Sequence, residues 1–177
     1  LCAILKGGQI PVQLVLGALF ASIAIPYGFT AFLRIHAAGH RGYLLLPFIF
    51  SFASDTFAFF AGHLFGKHKL APKVSPHKTV EGAVGGLAGN VVCGLAFAYG
   101  MNTWFGQSLD YLTIALVGLG CSVVAQIGDL SFSYIKREFG IKDYGRLFLD
   151  HGGVLDRFDS VLFVAPVMAL VMPYLLG

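Results

Sequence analysis

Long uncharged apolar runs alternate with short polar segments along this chain, and five of the runs are long enough to matter for membrane crossing. A spanning helix needs about 20 predominantly apolar residues. Residues 10–33 form the first run, with Pro11 near its start and Pro26 inside, so a kinked helix is expected. Residues 34–41 read as a polar turn, and 43–62 as a second span interrupted by Asp55. A glycine-rich third span covers 82–105, a fourth 111–135 with the helix continuing to about Arg137, and a fifth 160–177. Residues 63–81 and 136–158 are the polar loops between them; Pro72 and Pro76 argue against a single helix through the first. The apolar runs are continuous rather than alternating, which selects helices over barrel strands. The expected fold class is all-α: a polytopic integral membrane helical bundle of about five transmembrane helices, forming one membrane domain over residues 1–177.

Composition agrees. Hydrophobic residues make up 56% of the chain, charged residues 12%, and the mean hydropathy is +0.76, against about 25% charged residues in a soluble domain. The net charge of +3 is small, and no nucleic-acid partner is expected. Its placement says more than its sum. The loop after the second span carries Lys67, Lys69, Lys73 and Lys78, and the loop after the fourth carries Lys136, Arg137, Lys142, Arg146 and Arg157. The loop after the third has no Lys or Arg. With five spans both rich loops fall on one side, which the positive-inside rule assigns to the cytoplasm. The expected location is therefore an integral membrane protein, of a bacterial inner membrane, with its polar loops facing the cytoplasm. The chain begins with Leu and shows no signal peptide; it is expected to be the C-terminal part of a longer protein. Cys2, Cys93 and Cys121 have no metal-binding spacing and read as small buried residues.

Gly82 and Gly86, and Gly85 and Gly89, stand four apart, the spacing that lets helices approach closely. Packing within the chain accounts for it; a homodimer is compatible with it and not required.

The chemistry concentrates in Ser133–Asp159, where 27 residues hold ten charged side chains beside a bilayer. Charge so dense must be solvated, paired or bound. Asp129 shares a helix face with Ser133 and Lys136; it is either a metal ligand or a helix-end charge paired with a base. Asp156 and Asp159 stand i, i+3 at the start of the fifth span, where acids also suit the helix dipole. Two or three carboxylates together repel unless a cation intervenes. Hard oxygen ligands suit Mg²⁺, which keeps waters and binds substrate phosphates as well. His151-Gly152-Gly153 allows an anion-binding nest of backbone N–H groups, or an ordinary turn. The segment Ser75-Pro76-His77-Lys78-Thr79 offers hydroxyls and a cation at the membrane surface, either for a triphosphate or for anionic lipid. Asp55 lies inside a span, at a cost of ~2.5–3.5 kcal/mol on insertion scales, which favours a functional or polar-network role. Acids for a metal and bases for phosphates are the needs of phosphoryl or nucleotidyl transfer.

These residues resemble the phosphatidate cytidylyltransferases, or CDP-diacylglycerol synthases. Their C-terminal signature S-x-x-K-R, four residues, K-D, a spacer and H-G-G-x-x-D-R-x-D is matched by Ser133, Lys136-Arg137, Lys142-Asp143, His151-Gly152-Gly153, Asp156-Arg157 and Asp159. Asp55-Thr56 with Ala58 and Gly62 resembles the family's D-T-x-A-Y-x-x-G segment, Ser75 to Thr79 with Glu81-Gly82 its S-P-K-K-T-x-E-G loop, and Gly128-Asp129-Leu130 its G-D-L. The resemblance runs from about Ser54 to the end. Leu149, Phe59 and His77 depart from the usual residues, and the family has further N-terminal spans.

The resemblance implies that a phosphate oxygen of phosphatidate attacks the α-phosphorus of CTP, giving CDP-diacylglycerol and pyrophosphate with Mg²⁺ required, and it leaves room for a second cation. CTP, phosphatidate and membrane lipids are the implied partners. Asp129, Asp156 and Asp159 are assigned to the metal; Lys142, Asp143 and His151 join them in the catalytic set. Asp55, Ser75, Lys78, Ser133, Lys136, Arg137, Gly152, Gly153 and Arg157 are assigned to substrate. Two other readings stay open: an ion-coupled transporter, which would want acids near the midplane and repeated broken helices, and a CTP-dependent polyprenol- or phytol-type lipid kinase.

Overall fold

The computed structural model describes residues 12–38, 41–141, 144 and 155–176. Helix α1 (Val12–Ala38) leads through a 3-10 turn (Arg41–Leu45) into α2 (Leu46–Phe65). Strands β1 (Lys69–Ala71) and β2 (Ser75–Thr79) form an antiparallel hairpin, and α3 (Val80–Trp104), α4 (Tyr111–Glu138) and α5 (Leu155–Leu176) complete the bundle. Among the described residues five helices are long and apolar enough to cross a membrane, as the hydropathy pattern requires, and the chain is an integral membrane protein.

Two local expectations change. The polar turn expected at 34–41 is helical as far as Ala38, because one Arg and one His among apolar neighbours give a helix no reason to stop. The basic loop at 63–81 contains a short hairpin inside the otherwise helical bundle. Pro26 sits inside α1, and Pro166 and Pro173 inside α5; neighbouring helices make such prolines tolerable in a membrane.

The helix ends follow their sequence signals. Thr79 caps α3, its hydroxyl accepting from the Gly82 N–H at 3.1 Å. Asp110 caps α4 through the Thr113 N–H at 2.8 Å. Outside the bilayer, the Thr113 hydroxyl, donating at 2.6 Å, and the Thr113 N–H hold the Asp110 carboxyl below the ordinary carboxylate range. Helix α4 ends at Gly140, whose φ of 65° lets Ile141 N–H reach back to the Lys136 carbonyl at 2.9 Å.

The packing is led by the α2–α3 pair, and glycine makes it close. A Cβ on Gly85 would lie 2.2 Å from the Ala61 Cβ, and one on Gly89 2.2 Å from the Phe57 ring. The glycine spacing is thus used inside the chain. The remaining core, including Tyr43, Phe50, Ile114, Cys121 and Met168, lies between α2, α3, α4 and α5. Cys121 is buried and Cys93 half-buried, both free thiols; Cys2 lies outside the described residues. At the end of the bundle away from the hairpin, Tyr99, Trp104, Phe105 and Tyr174 are exposed, as aromatic side chains are at a membrane–water interface.

Candidate functional site

A cavity of about 460 Å³ opens where the hairpin meets α2, α3 and α4, within the range of small-molecule sites. Asp55 and Phe59 line it from α2, Lys69, His77 and Lys78 from the hairpin, and Gln126 and Asp129 from α4. It therefore joins an acidic floor to a basic roof.

Local sequence chemistry builds the roof. Helix α2 ends at Gly66, where a Cβ would meet the Gly62 carbonyl and the Thr79 side chain; only glycine lets the chain leave α2 so close to the start of α3. The chain then turns into the hairpin, pairing Lys69 with Thr79 and Ala71 with Ser75. Period-2 alternation would put Lys69 and Ala71 on one side of β1, and Lys69 does face the cavity with Leu70, His77 and Lys78, because the register shifts between Lys69 and Ala71. Lys78 forms an ion pair with Asp129. Apart from that pair, its buried ammonium has no hydrogen-bond partner among the described residues.

The floor is formed where α2, α4 and α5 converge. Ser160 donates its hydroxyl toward Asp55 at 3.4 Å and Asp159 at 3.3 Å, and its N–H to Asp159 at 2.7 Å. Asp55 and Asp159 thus meet at one serine. The charges of Asp55, Asp129 and Asp159 act on one another, with Lys78 opposing them at Asp55 and Lys136 at Asp159. Ser133 donates to Asp129 at 3.3 Å one helical turn on. Beneath the cavity, Gln126 Nε2 donates to the Ala83 carbonyl at 3.1 Å and to Ser122 at 3.3 Å, and Ser122 meets Ser54 at 2.9 Å. This polar ladder fastens α2, α3 and α4 together directly under the acids.

A second charged cluster lies beside the first. Lys136 pairs with Asp156 at 2.9 Å, both nearly buried. The other Asp156 oxygen accepts from the Tyr144 N–H at 2.9 Å, and the Lys136 ammonium lies 5.4 Å over the Tyr144 ring. Tyr144 itself donates its hydroxyl to the Phe132 carbonyl at 3.2 Å. Burial, then Asp156 and Asp159, push this hydroxyl up to about 12. Tyr144 therefore bonds to α4 as a neutral donor.

The residues named from the sequence separate accordingly. Asp55, Asp129 and Asp159 come together, with Lys78 and Ser133 against Asp129. In the i, i+3 pair, Asp156 meets Lys136 and Tyr144, and Asp159 meets Ser160, whose hydroxyl also reaches Asp55. Arg137 reaches the hairpin instead, its Nε donating to the Val74 carbonyl at 3.4 Å. Ser75 lies at the turn end of β2. Lys142, Asp143, His151, Gly152, Gly153 and the Arg157 side chain lie outside the described residues. Sequence reasoning passed over Gln126, Phe59, His63 and Lys69 as site residues. Gln126 had a signal, as a polar residue in an apolar run one turn before Asp129, and Phe59 stands at the aromatic position of the D-T-x-A-Y segment; His63 had none.

Among the described residues no three or more His, Cys, Asp or Glu side chains form a ready metal cage. Mg²⁺ does not need one, since it is commonly held by one or two carboxylates, waters and substrate phosphates. One or two of the neighbouring carboxylates Asp55, Asp129 and Asp159 meet that need.

Residues 2–175 match the model of the cytidylyltransferase family. The phosphatidate cytidylyltransferase of Staphylococcus haemolyticus (strain JCSC1435) is 39% identical over 157 residues, covering 88% of this chain and 59% of that protein. Those of Staphylococcus saprophyticus subsp. saprophyticus and Staphylococcus aureus (strain COL) are 38% and 39% identical with the same coverage. The chain thus spans 59% of the length of these curated relatives.

Proposed function

Because the chain belongs to the cytidylyltransferase family, we propose that it carries the catalytic part of a CTP:phosphatidate cytidylyltransferase. The observation that carries this reading is the cavity in which Lys78 faces Asp129, with Asp55 and Asp159 close by. A nucleoside triphosphate brings several negative charges, and the hairpin's Lys69, His77 and Lys78 line the cavity that would receive them. The Lys78 ammonium has donors to spare for a phosphate oxygen.

In this reading a phosphate oxygen of phosphatidate attacks the α-phosphorus of CTP. A phosphorus–oxygen bond forms to the lipid phosphate, the bond to the β-phosphate oxygen breaks, and pyrophosphate leaves. No side-chain nucleophile is needed. Mg²⁺ would be held by Asp129 and Asp159 with Asp55 near, and when bound it would neutralise charge on the transferring group. Lys78 holds triphosphate oxygens, and its pairing with Asp129 keeps the ammonium in place before substrate arrives. Ser133 orients the Asp129 carboxylate. Lys136 and Asp156 fix the start of α5 against α4, and the family resemblance implies that Lys142, Asp143, His151, Gly152, Gly153 and Arg157 contribute from the sequence between and beside them. Arg137 supports the hairpin and offers its remaining guanidinium donors to phosphate. The hairpin's lysines and Lys136 and Arg137 lie at one end of the bundle, and the positive-inside rule assigns that end to the cytoplasm of a bacterial cell. That side supplies CTP, while the membrane supplies the lipid.

The test is to incubate the purified full-length protein in detergent with phosphatidate and CTP labelled at the α-phosphate, with and without Mg²⁺. Label entering the lipid with release of pyrophosphate, only when Mg²⁺ is present, is expected. Transfer of a single phosphate instead would make the protein a lipid kinase, and no transfer with any divalent cation would end the reading.

A further inference from the structure

The hairpin that roofs the cavity is short, and a two-stranded hairpin is marginal on its own in water. Its three cavity-facing bases, Lys69, His77 and Lys78, therefore need an outside support if they are to be in place before a ligand arrives. One acidic residue provides it. The Glu81 Oε2 accepts from the Lys67 N–H at 3.1 Å and the His68 N–H at 3.2 Å, and Oε1 faces His68 Nδ1 at 2.6 Å. Immediately before it, the Val80 N–H donates to the His68 carbonyl at 2.9 Å. These bonds close the open end of the hairpin, where the chain enters from α2 and leaves into α3.

Glu81 is built to stay there. It stands at the second position of α3, after the Thr79 cap, in the helix pair with the most extensive packing among the described residues. Gly82 beside it packs against α2 so closely that a Cβ would lie 2.6 Å from the Ala58 carbonyl. The carboxylate thus transmits the fixed position of α3 to the backbone of residues 67 and 68, two residues before Lys69. It is not among the cavity-lining residues, so it acts on a ligand only through others.

We propose that Glu81 is a positioning residue for the nucleotide: it holds the hairpin so that Lys69, His77 and Lys78 are preorganised for the triphosphate. The inference rests on the CTP reading above and adds a residue to it. Preorganisation of this kind lowers the cost of binding without adding a contact. Because the lipid's phosphate need not meet the roof to bind, the effect falls on the nucleotide rather than on both substrates. Arg137 at the hairpin's turn is a second, longer tether and does not replace a support at the base.

The experiment uses the full-length protein with Glu81→Ala and Glu81→Gln, the amide keeping one acceptor oxygen but losing the charge. Tryptic cleavage after Lys67, Lys69 and Lys73 reports the freedom of the hairpin without any need for activity. The expected result is faster cleavage in the order wild type, Glu81→Gln, Glu81→Ala. With it, KM for CTP should rise roughly tenfold in Glu81→Ala, since misplacement of a binding group is costly, while KM for phosphatidate and the unfolding temperature stay near wild type. If Glu81→Ala fails to fold, Glu81→Gln carries both readouts. Unchanged cleavage overturns the inference, as does faster cleavage with an unchanged KM for CTP. An equal rise in both KM values with a fall in unfolding temperature also overturns it, since that marks damage to the bundle. A wild type that transfers no CMP removes the functional reading itself, whereas an active wild type with indifferent variants removes only the role of Glu81.

Discussion

Lys78, near the end of β2, forms its ion pair with Asp129, in the last third of α4, across the cavity. Fifty-one positions separate them in the sequence, and no helical or strand period connects them. The pair places the chain's hairpin cation on the carboxylate that the G-D-L segment presents, and it sets what each partner is expected to do.

Removing either charge should cost activity by different routes. Asp129→Asn is expected to lower kcat for CMP transfer on the order of 10²-fold, the usual scale for losing one electrostatic stabiliser, and to raise the Mg²⁺ concentration needed for half activity. Lys78→Met should instead raise KM for CTP. Steady-state kinetics with Mg²⁺ titration on the full-length protein separates the two; identical kinetic changes would contradict the assignment.

The neighbouring pair is structural first. Lys136 and Asp156 are both nearly buried, so Asp156→Ala strands an ammonium and should destabilise the protein by ~3 kcal/mol. Lys136→Met combined with Asp156→Ala should lose less than the sum of the single changes. Thermal unfolding of the four proteins in one detergent measures this, and strict additivity would show that the pair is not coupled.

Tyr144 gives a pH dependence. Its hydroxyl is raised from 10.0 to about 12, so the folded state favours the neutral form. The stability this contributes is fully present below pH 10 and is lost as the pH rises toward 12. Tyr144→Phe should therefore be less stable than wild type at neutral pH, by about 1 kcal/mol for the lost hydrogen bond to Phe132. The difference should shrink over that alkaline window. A difference that is constant with pH would contradict the shift.

Glycine substitutions should discriminate sharply by position. Gly82→Ala puts a methyl 2.6 Å from a backbone oxygen of α2, and backbone cannot yield as a side chain can, so a loss of about 1–3 kcal/mol is expected. Gly120→Ala meets nothing within 4 Å and should be neutral or stabilising by up to ~1 kcal/mol through helix propensity. Unfolding temperatures measured side by side decide this.

Much of the bundle could be read without coordinates. Five apolar runs gave five helices among the described residues. The misreadings were at boundaries. The chain near Ala38 stayed helical because a lone Arg and His do not break a helix, and the basic segment carries a short hairpin whose base is bonded to Glu81 of α3, a partner that no local period announces. The Asp156 and Asp159 spacing placed two acids at the start of the fifth span, but that Lys136 and Tyr144 meet the first and Ser160 the second depends on packing between helices, which spacing does not carry.

What the linear chain determined was therefore the solvent, the helices and the kinds of chemistry. Hydropathy is additive along a segment, and motif residues carry their charges wherever they stand. Only the tertiary structure decided which charges meet. The convergence of Asp55, Asp129 and Asp159, the approach of Lys78 and the bracing of the hairpin by Glu81 arise where α2, α3, α4 and α5 close on one another. Those approaches are set by glycine contacts and buried hydrogen bonds between distant segments, and no periodicity within one segment encodes its distance to another.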